Sequence, residues 1–267
     1  LGLRKFFLVS FFCILSVSVS AQNWEIGGFA GASGYMGDLN PVNPFNIRDF
    51  AYGGFVKHNF DANWSLKLNA QHGKIFGADA LLDDEQYRRR NLNFFSPITE
   101  IGFQLEFNFF EYIASVSKKR YTPYLFTGVG GVLFNPQTKY NGETYELYAY
   151  GTEGQDVAKP YKRYALSVPY GVGVKYNITG AWSLVGEIGY RTAYSDHLDD
   201  VSGYYPDKSK LYNATAVALS DRTGEYTGVY TGAPGTQRGD LRKHDTYMFT
   251  GLSLTFTFIS QKCPVVQ

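Results

Sequence analysis

From Trp64 to Gln71 the chain reads WSLKLNAQ, and apolar and polar residues alternate without a break. Trp64, Leu66, Leu68 and Ala70 fall on one side; Ser65, Lys67, Asn69 and Gln71 fall on the other. A period of two belongs to an extended strand, whose successive side chains point to opposite faces. The same rule governs Phe95 to Phe109, where Ile101, Phe103, Leu105, Phe107 and Phe109 oppose Glu100, Gly102, Gln104, Glu106 and Asn108. It returns in Thr246 to Ile259, with Leu252, Leu254, Phe256 and Phe258 against Gly251, Ser253, Thr255 and Thr257. A chain built from such ribbons must give their two faces different surroundings.

Composition agrees. The sequence holds 22 Tyr, 21 Phe and 29 Gly in 267 residues, a mixture suited to pleated surfaces and tight reversals. A formal net charge of +1 gives no electrostatic ground for binding nucleic acid.

One hairpin is written twice. VKHNFDANWSLKL (Val56 to Leu68) and VKYNITGAWSLVG (Val174 to Gly186) share Val, Lys, Asn, Trp, Ser and Leu in register. Each reads as an incoming strand, a very short turn and an outgoing strand. Around these two hairpins, strands are predicted at Trp24 to Gly37, Phe95 to Phe109, Tyr121 to Phe134 and Thr246 to Ile259, eight in all. Their connections alternate. Those after the second and sixth strands are very short and the one after the fourth, Phe110 to Arg120, is moderate. Those after the odd strands are long, the last running from about Asp196 to Asp245. This alternation is the pattern of an outer-membrane barrel, and an even strand count puts both termini on the short-turn, periplasmic side.

The N-terminus reads as an export signal. Arg4 and Lys5 precede an apolar run from Phe6 to Ser20, and Val19-Ser20-Ala21 fits a small-residue cleavage site. The run is short for a bilayer core of about 30 Å. No later stretch has the 18 or so apolar residues of a membrane helix. The expected organisation is a cleaved signal peptide at 1–21, a barrel at 22–260 and a periplasmic tail at 261–267.

A soluble sandwich or lipocalin-like barrel would bury the apolar faces. An eight-stranded barrel is just wide enough for its own side chains, so it has no room for nearly every Phe and Trp. Turned the other way, the interior receives Glu25, Glu100, Glu106 and Glu187 with Lys57, Lys67, Lys175 and Arg191. Balanced charge is what a dry lumen requires, because an unpaired buried charge is costly. Trp64 and Trp182 then fall in the periplasmic aromatic girdle. The expected fold is therefore all-β: an eight-stranded antiparallel up-and-down transmembrane β-barrel, OmpA-like, with long extracellular loops.

Chemistry is sparse. No Gly-x-Ser-x-Gly occurs, and Gly31-Ala32-Ser33-Gly34 has the wrong spacing for a nucleophile elbow. The cluster Ser195-Asp196-His197-Leu198-Asp199-Asp200 opens the longest loop. It admits three readings: acid–base hydrolysis, a calcium site with Asp207, or a hydrated strand end with turn-forming aspartates. Asp83-Asp84-Glu85 followed by Arg88-Arg89-Arg90 is either a lipopolysaccharide phosphate contact or a solvated loop pairing its own charges. Lys118-Lys119-Arg120 meets an acidic partner or is a solvated turn. After cleavage Cys263 is the lone cysteine. In an oxidising compartment it is free or bonded to another chain. No enzyme activity, cofactor or metal is expected.

Three stretches carry a resemblance: Gly34-Tyr35-Met36-Gly37-Asp38-Leu39-Asn40-Pro41, Asp196-His197-Leu198-Asp199-Asp200-Val201-Ser202-Gly203-Tyr204-Tyr205, and Lys262-Cys263-Pro264. Together they resemble Bacteroidota outer-membrane barrels of the PorG type. The alternation ending at Phe256 and Phe258 likewise resembles the terminal signature read by barrel-assembly machinery. The PorG resemblance implies an accessory component of the type IX secretion system, serving protein export and, in some species, gliding motility. It implies partners in a periplasmic ring, a lipoprotein and its soluble companion, met through Lys262, Cys263, Lys118, Lys119 and Arg120. The competing expectation is a free-standing structural or adhesive barrel whose outer loops bind surface ligands.

Overall fold

A computed structural model describes residues 23–258. Its strands are β1 (Asn23–Met36), β2 (Ile47–Asn59), β3 (Trp64–Ala78), β4 (Asn93–Asn108), β5 (Tyr121–Phe134), β6 (Gln137–Tyr140), β7 (Glu143–Glu146), β8 (Tyr164–Thr179), β9 (Trp182–Ala193) and β10 (Thr246–Phe258). Eight of them form a ring in the order β3-β2-β1-β10-β9-β8-β5-β4, and β3 pairs with β4 to close it. Every pairing in the ring is antiparallel. Closure leaves no unpaired strand edge in the wall. The signal-peptide region, Lys262 and Cys263 lie outside the described residues.

The two short turns explain themselves. Asp61 Oδ1 accepts from the backbone of Asn63 at 2.7 Å and Trp64 at 2.8 Å, an Asx-type reversal between β2 and β3. Between β8 and β9, Gly180 adopts φ 49°, a left-handed conformation that glycine takes without steric cost. The two copies of the repeat, β2–β3 and β8–β9, occupy opposite walls of the ring.

Alternation sorts the faces. Phe103, Leu105, Val129, Val172, Leu184 and Leu254 stand outward and exposed, whereas Ser65, Lys67, Glu100, Gln104, Glu106, Lys175 and Thr255 are buried inward. Phe103 is 51% exposed and Glu106 2%. A water-soluble barrel would show the reverse order.

Polar filling does not run the whole length. Toward the long-loop end Phe29, Phe94, Ile98, Val132, Phe134 and Phe249 turn inward and pack with Leu39, Leu198, Val201 and Leu219 from the loops. Here the long connections fold over the mouth, so apolar side chains leave water for protein and gain burial energy. The loops carry structure that alternation does not encode: the β6–β7 hairpin, touching the wall through Phe95 and Gln137, and short helices at Glu85–Arg90, Ala214–Ser220 and Thr223–Thr227.

Candidate functional site

The lumen is built from the inward residues of facing strands. Glu106 on β4 is its hub. Lys175 Nζ lies 2.6 Å from its carboxylate, Lys67 Nζ 3.0 Å and Lys57 Nζ 3.5 Å. Lys57 and Lys175 occupy the same position in the two copies of the repeat, and the narrow bore brings both to one acid. Lys57 also pairs with Glu25 at 2.6 Å, and Asn59 Nδ2 donates to that carboxylate at 2.7 Å. Lys67 crosses to Glu187 at 2.8 Å, where the Tyr124 hydroxyl donates at 2.8 Å. Arg191 lies 3.5 Å from Glu100 and 3.7 Å from Glu187, and its Nη2 donates to Gln71 Oε1 at 2.9 Å. All eight charged residues are less than a tenth exposed, so none of them is a hydrated strand-end charge.

Buried side chains occupy both ends of the bore. At the short-turn end the buried Tyr112, from the β4–β5 connection, hydrogen-bonds Ser183 Oγ at 2.7 Å. Sequence reading treats Tyr112 as part of a connection. Its place in an otherwise apolar Tyr-Ile-Ala run is the only available hint.

At the other end the four long connections form a cap. Arg90 is its clamp. Its Nε and Nη2 reach the Asp79 carboxylate at 2.8 and 2.6 Å, its Nη2 also donates to Asp38 O at 2.8 Å, and its Nη1 donates to Arg238 O at 2.5 Å. Arg238 in turn holds Glu153 at 2.9 Å and Asp200 O at 2.8 Å. This corrects the solvated reading of the acidic-then-basic loop for Arg90. Arg89, by contrast, makes an exposed pair with Glu85 at 2.6 Å.

The Asp196–Asp200 cluster is not a hydrated strand end. Asp199 and Asp200 are 0% exposed. Asp199 accepts from the Tyr35 hydroxyl and from Val201 N at 2.9 Å; Asp200 accepts from Thr152 and, at 2.7 Å, from the Tyr161 hydroxyl. Asp207 stands apart, accepting from Ser209 N at 3.1 Å in its own turn. Burial pushes Asp200 up to about 7, with the Glu153 charge adding and Arg238 opposing. Burial lowers the His197 imidazole, but Glu153, 3.2 Å away, outweighs this and lifts it above its ordinary value.

On the short-turn rim Lys118, Lys119 and Arg120 are exposed, with Lys119 Nζ 3.6 Å from the Phe110 ring centre. Lys118 and Lys119 border a groove that includes Ala62, Phe109, Glu111 and Val116. Trp64 and Trp182 point outward, 43% and 44% exposed. Trp64 packs on Phe107 at 4.8 Å and Trp182 on Phe256 at 5.1 Å. Trp24 completes this belt against His58 at 4.7 Å. Its apolar position in the first strand could have revealed it.

The family model described as a domain of unknown function (DUF6089) matches residues 4–232. The chain belongs to this family. No curated protein matches it. Among solved structures this DUF6089 chain is similar to Neisserial surface protein A, at 9% identity and a TM-score of 0.43 over 88% of this chain and 97% of that one. It is also similar to Ail, the attachment invasion locus protein of Yersinia pestis, at 10% identity and a TM-score of 0.41 over 90% and 100%. A third is a major outer membrane protein from Thermus thermophilus, at 11% identity and a TM-score of 0.42 over 90% and 100%.

Proposed function

We propose that this DUF6089 chain is a non-enzymatic outer-membrane barrel that anchors or organises a protein assembly. One observation carries the reading: the outward apolar wall encloses a bore filled by Glu106 and its three lysines. The outward wall suits lipid, and the filled bore suits an anchor better than a pore. In this reading the short turns face the periplasm and the cap faces outward, against outer-membrane lipid and lipopolysaccharide. Reconstituted in planar bilayers, the full mature chain is expected to give no steady conductance. Discrete open channels at modest voltage would remove the reading.

The finer proposal is membership of the type IX secretion machinery of a Bacteroidota cell, as a PorG-type barrel under which a periplasmic ring assembles. It rests on the resemblance of the three quoted stretches. The exposed basic run Lys118–Arg120 beside an open groove suits a docking rim. A photo-crosslinking residue at Lys118 is expected to capture a periplasmic lipoprotein in native membranes, and capture of lipid alone would count against this role. A covalent link through Cys263 is expected to disappear from non-reducing gels on Cys263→Ser.

The adhesive alternative draws on a different observation. Tyr204, Tyr212, Tyr226, Val229 and Tyr230 stand exposed on the last long loop, and exposed aromatics suit ligand contact. Co-purification from detergent separates the two, since ring proteins should follow an anchor and not an adhesin.

A further inference from the structure

Strands β1, β10 and β9 are neighbours in the wall, and each bears an aspartate just beyond its end at the cap. Asp38 follows β1, Asp196 follows β9 and Asp245 immediately precedes β10. The adjacency of the three strands brings these aspartates to one place at the cap. One oxygen from each lies within 4.8 Å of the others. Asp38 and Asp245 are each 1% exposed and Asp196 is half-buried.

The cluster has no directly paired lysine or arginine: among the described residues, none forms an ion pair with Asp38, Asp196 or Asp245. Arg90 spends its fork on Asp79 and meets Asp38 only at the backbone carbonyl. Asp38 Oδ2 is buried without a hydrogen-bond partner, and so is Asp196 Oδ1. A buried carboxylate oxygen left unpaired is costly, and a native structure needs a reason to keep one. Asp240 adds a further acid, its backbone N–H donating to Asp38 Oδ1. Gly37 is part of the same packing, since a Cβ there would collide with the Tyr35 hydroxyl and an Asp245 oxygen.

We propose that Asp38, Asp196 and Asp245 bind a hard divalent cation, calcium by preference, and that the ion pins the first long loop to both ends of the last. Oxygens within 4.8 Å of one another fit a shared ion, since calcium–oxygen bonds of 2.3–2.6 Å put opposite ligands about 5 Å apart. Calcium accepts irregular geometry with six to eight oxygens, whereas magnesium demands a near-ideal octahedron. Ligands gathered from three chain segments suit the first. The ion would restore the missing positive charge and give the two orphaned oxygens a partner. Burial and the neighbouring acids otherwise hold Asp38 at about 6, Asp196 at about 7 and Asp245 well above the usual carboxylate range.

The test uses the full mature chain, refolded in detergent free of lipopolysaccharide and stripped of metal, at pH 7.5. Calcium chloride alone is titrated by calorimetry. Terbium chloride is followed by tyrosine-sensitised emission, Tyr35 being bonded beside the cluster. One saturable site is expected, with a dissociation constant of about 10⁻³ M or tighter, the range of extracellular calcium modules. Calcium should displace terbium. Asp38→Asn and Asp196→Asn should each weaken binding at least tenfold. Asp207→Asn, in the same loop but outside the cluster, should leave it unchanged. Because a buried substitution can loosen the cap, heat-modifiable mobility checks that each barrel is folded, and the half-buried Asp196→Asn serves if Asp38→Asn does not fold. Absence of saturable binding in the wild type would overturn the proposal, as would equal binding by folded Asp196→Asn.

Discussion

Lys67 on β3 and Glu187 on β9 meet at 2.8 Å across the bore, although their strands lie four places apart in a ring of eight. That contact sets the width of the interior. Side chains from opposite walls touch, so the lumen behaves as a packed core of charge.

Such a core is asymmetric in its sensitivity. Glu106 is shared by three lysines, and Glu106→Gln leaves three ammonium groups short of a counter-charge. Breaking one side of a buried ion pair costs about 3–5 kcal/mol. A loss of that size is expected in urea unfolding followed by heat-modifiable gel mobility. Lys175→Met should cost less, because Glu106 retains Lys57 and Lys67.

The run Arg88-Arg89-Arg90 divides by depth. Arg90→Ala removes the fork that joins Asp79 to the backbone of two other loops. It should open the cap at a cost of about 3–5 kcal/mol and leave the wall intact. Hydrogen exchange is expected to speed up in the loops and not in β3 or β4. Arg89→Ala breaks only the exposed, solvent-screened pair with Glu85, so no measurable change in stability is expected.

The cap should respond to pH with a definite sign. Asp38, held at about 6, and Asp196 and Asp200, held at about 7, keep their protons longer folded than unfolded. Groups raised in the folded state contribute stability at low pH and lose it as pH rises through the folded value. The raised His197 acts in the same direction. Asp221, lowered by its hydrogen bonds and Lys208 against the effect of burial, acts oppositely but near pH 4. In chelator, loop hydrogen exchange corrected for its intrinsic pH dependence should therefore show less protection at pH 8 than at pH 5. A flat profile would contradict the buried-acid description. Calcium should restore protection at pH 8 if the cation site is correct.

The wall was legible because period two repeats strand after strand and each slip of one residue would exchange the faces. Glu106 and Lys175 could be placed inward from their neighbours Leu105 and Val174 alone. The cap was not legible, for a physical reason. Arg90 meets Asp79 within its own loop, but Asp38, Asp196 and Asp245 meet only because β1, β10 and β9 are adjacent in the closed ring. The expected barrel makes those strands neighbours, but period two ends where the strands end and does not say how the loop aspartates fold beyond them. The inward turn of Phe94 and Phe249 is not encoded by alternation for a related cause: whether an inner position holds an ion or a ring depends on what covers the mouth above it.

The central claim is that apolar side chains face lipid, and the protein's three tryptophans can report it. Trp24, Trp64 and Trp182 all stand outward at the short-turn end, 46%, 43% and 44% exposed. In bilayers doped with brominated lipids, their fluorescence should be quenched strongly by bromines near the headgroups and weakly by bromines at the bilayer centre. A mature chain that stays soluble without detergent, and whose tryptophans no brominated lipid quenches, would contradict the account.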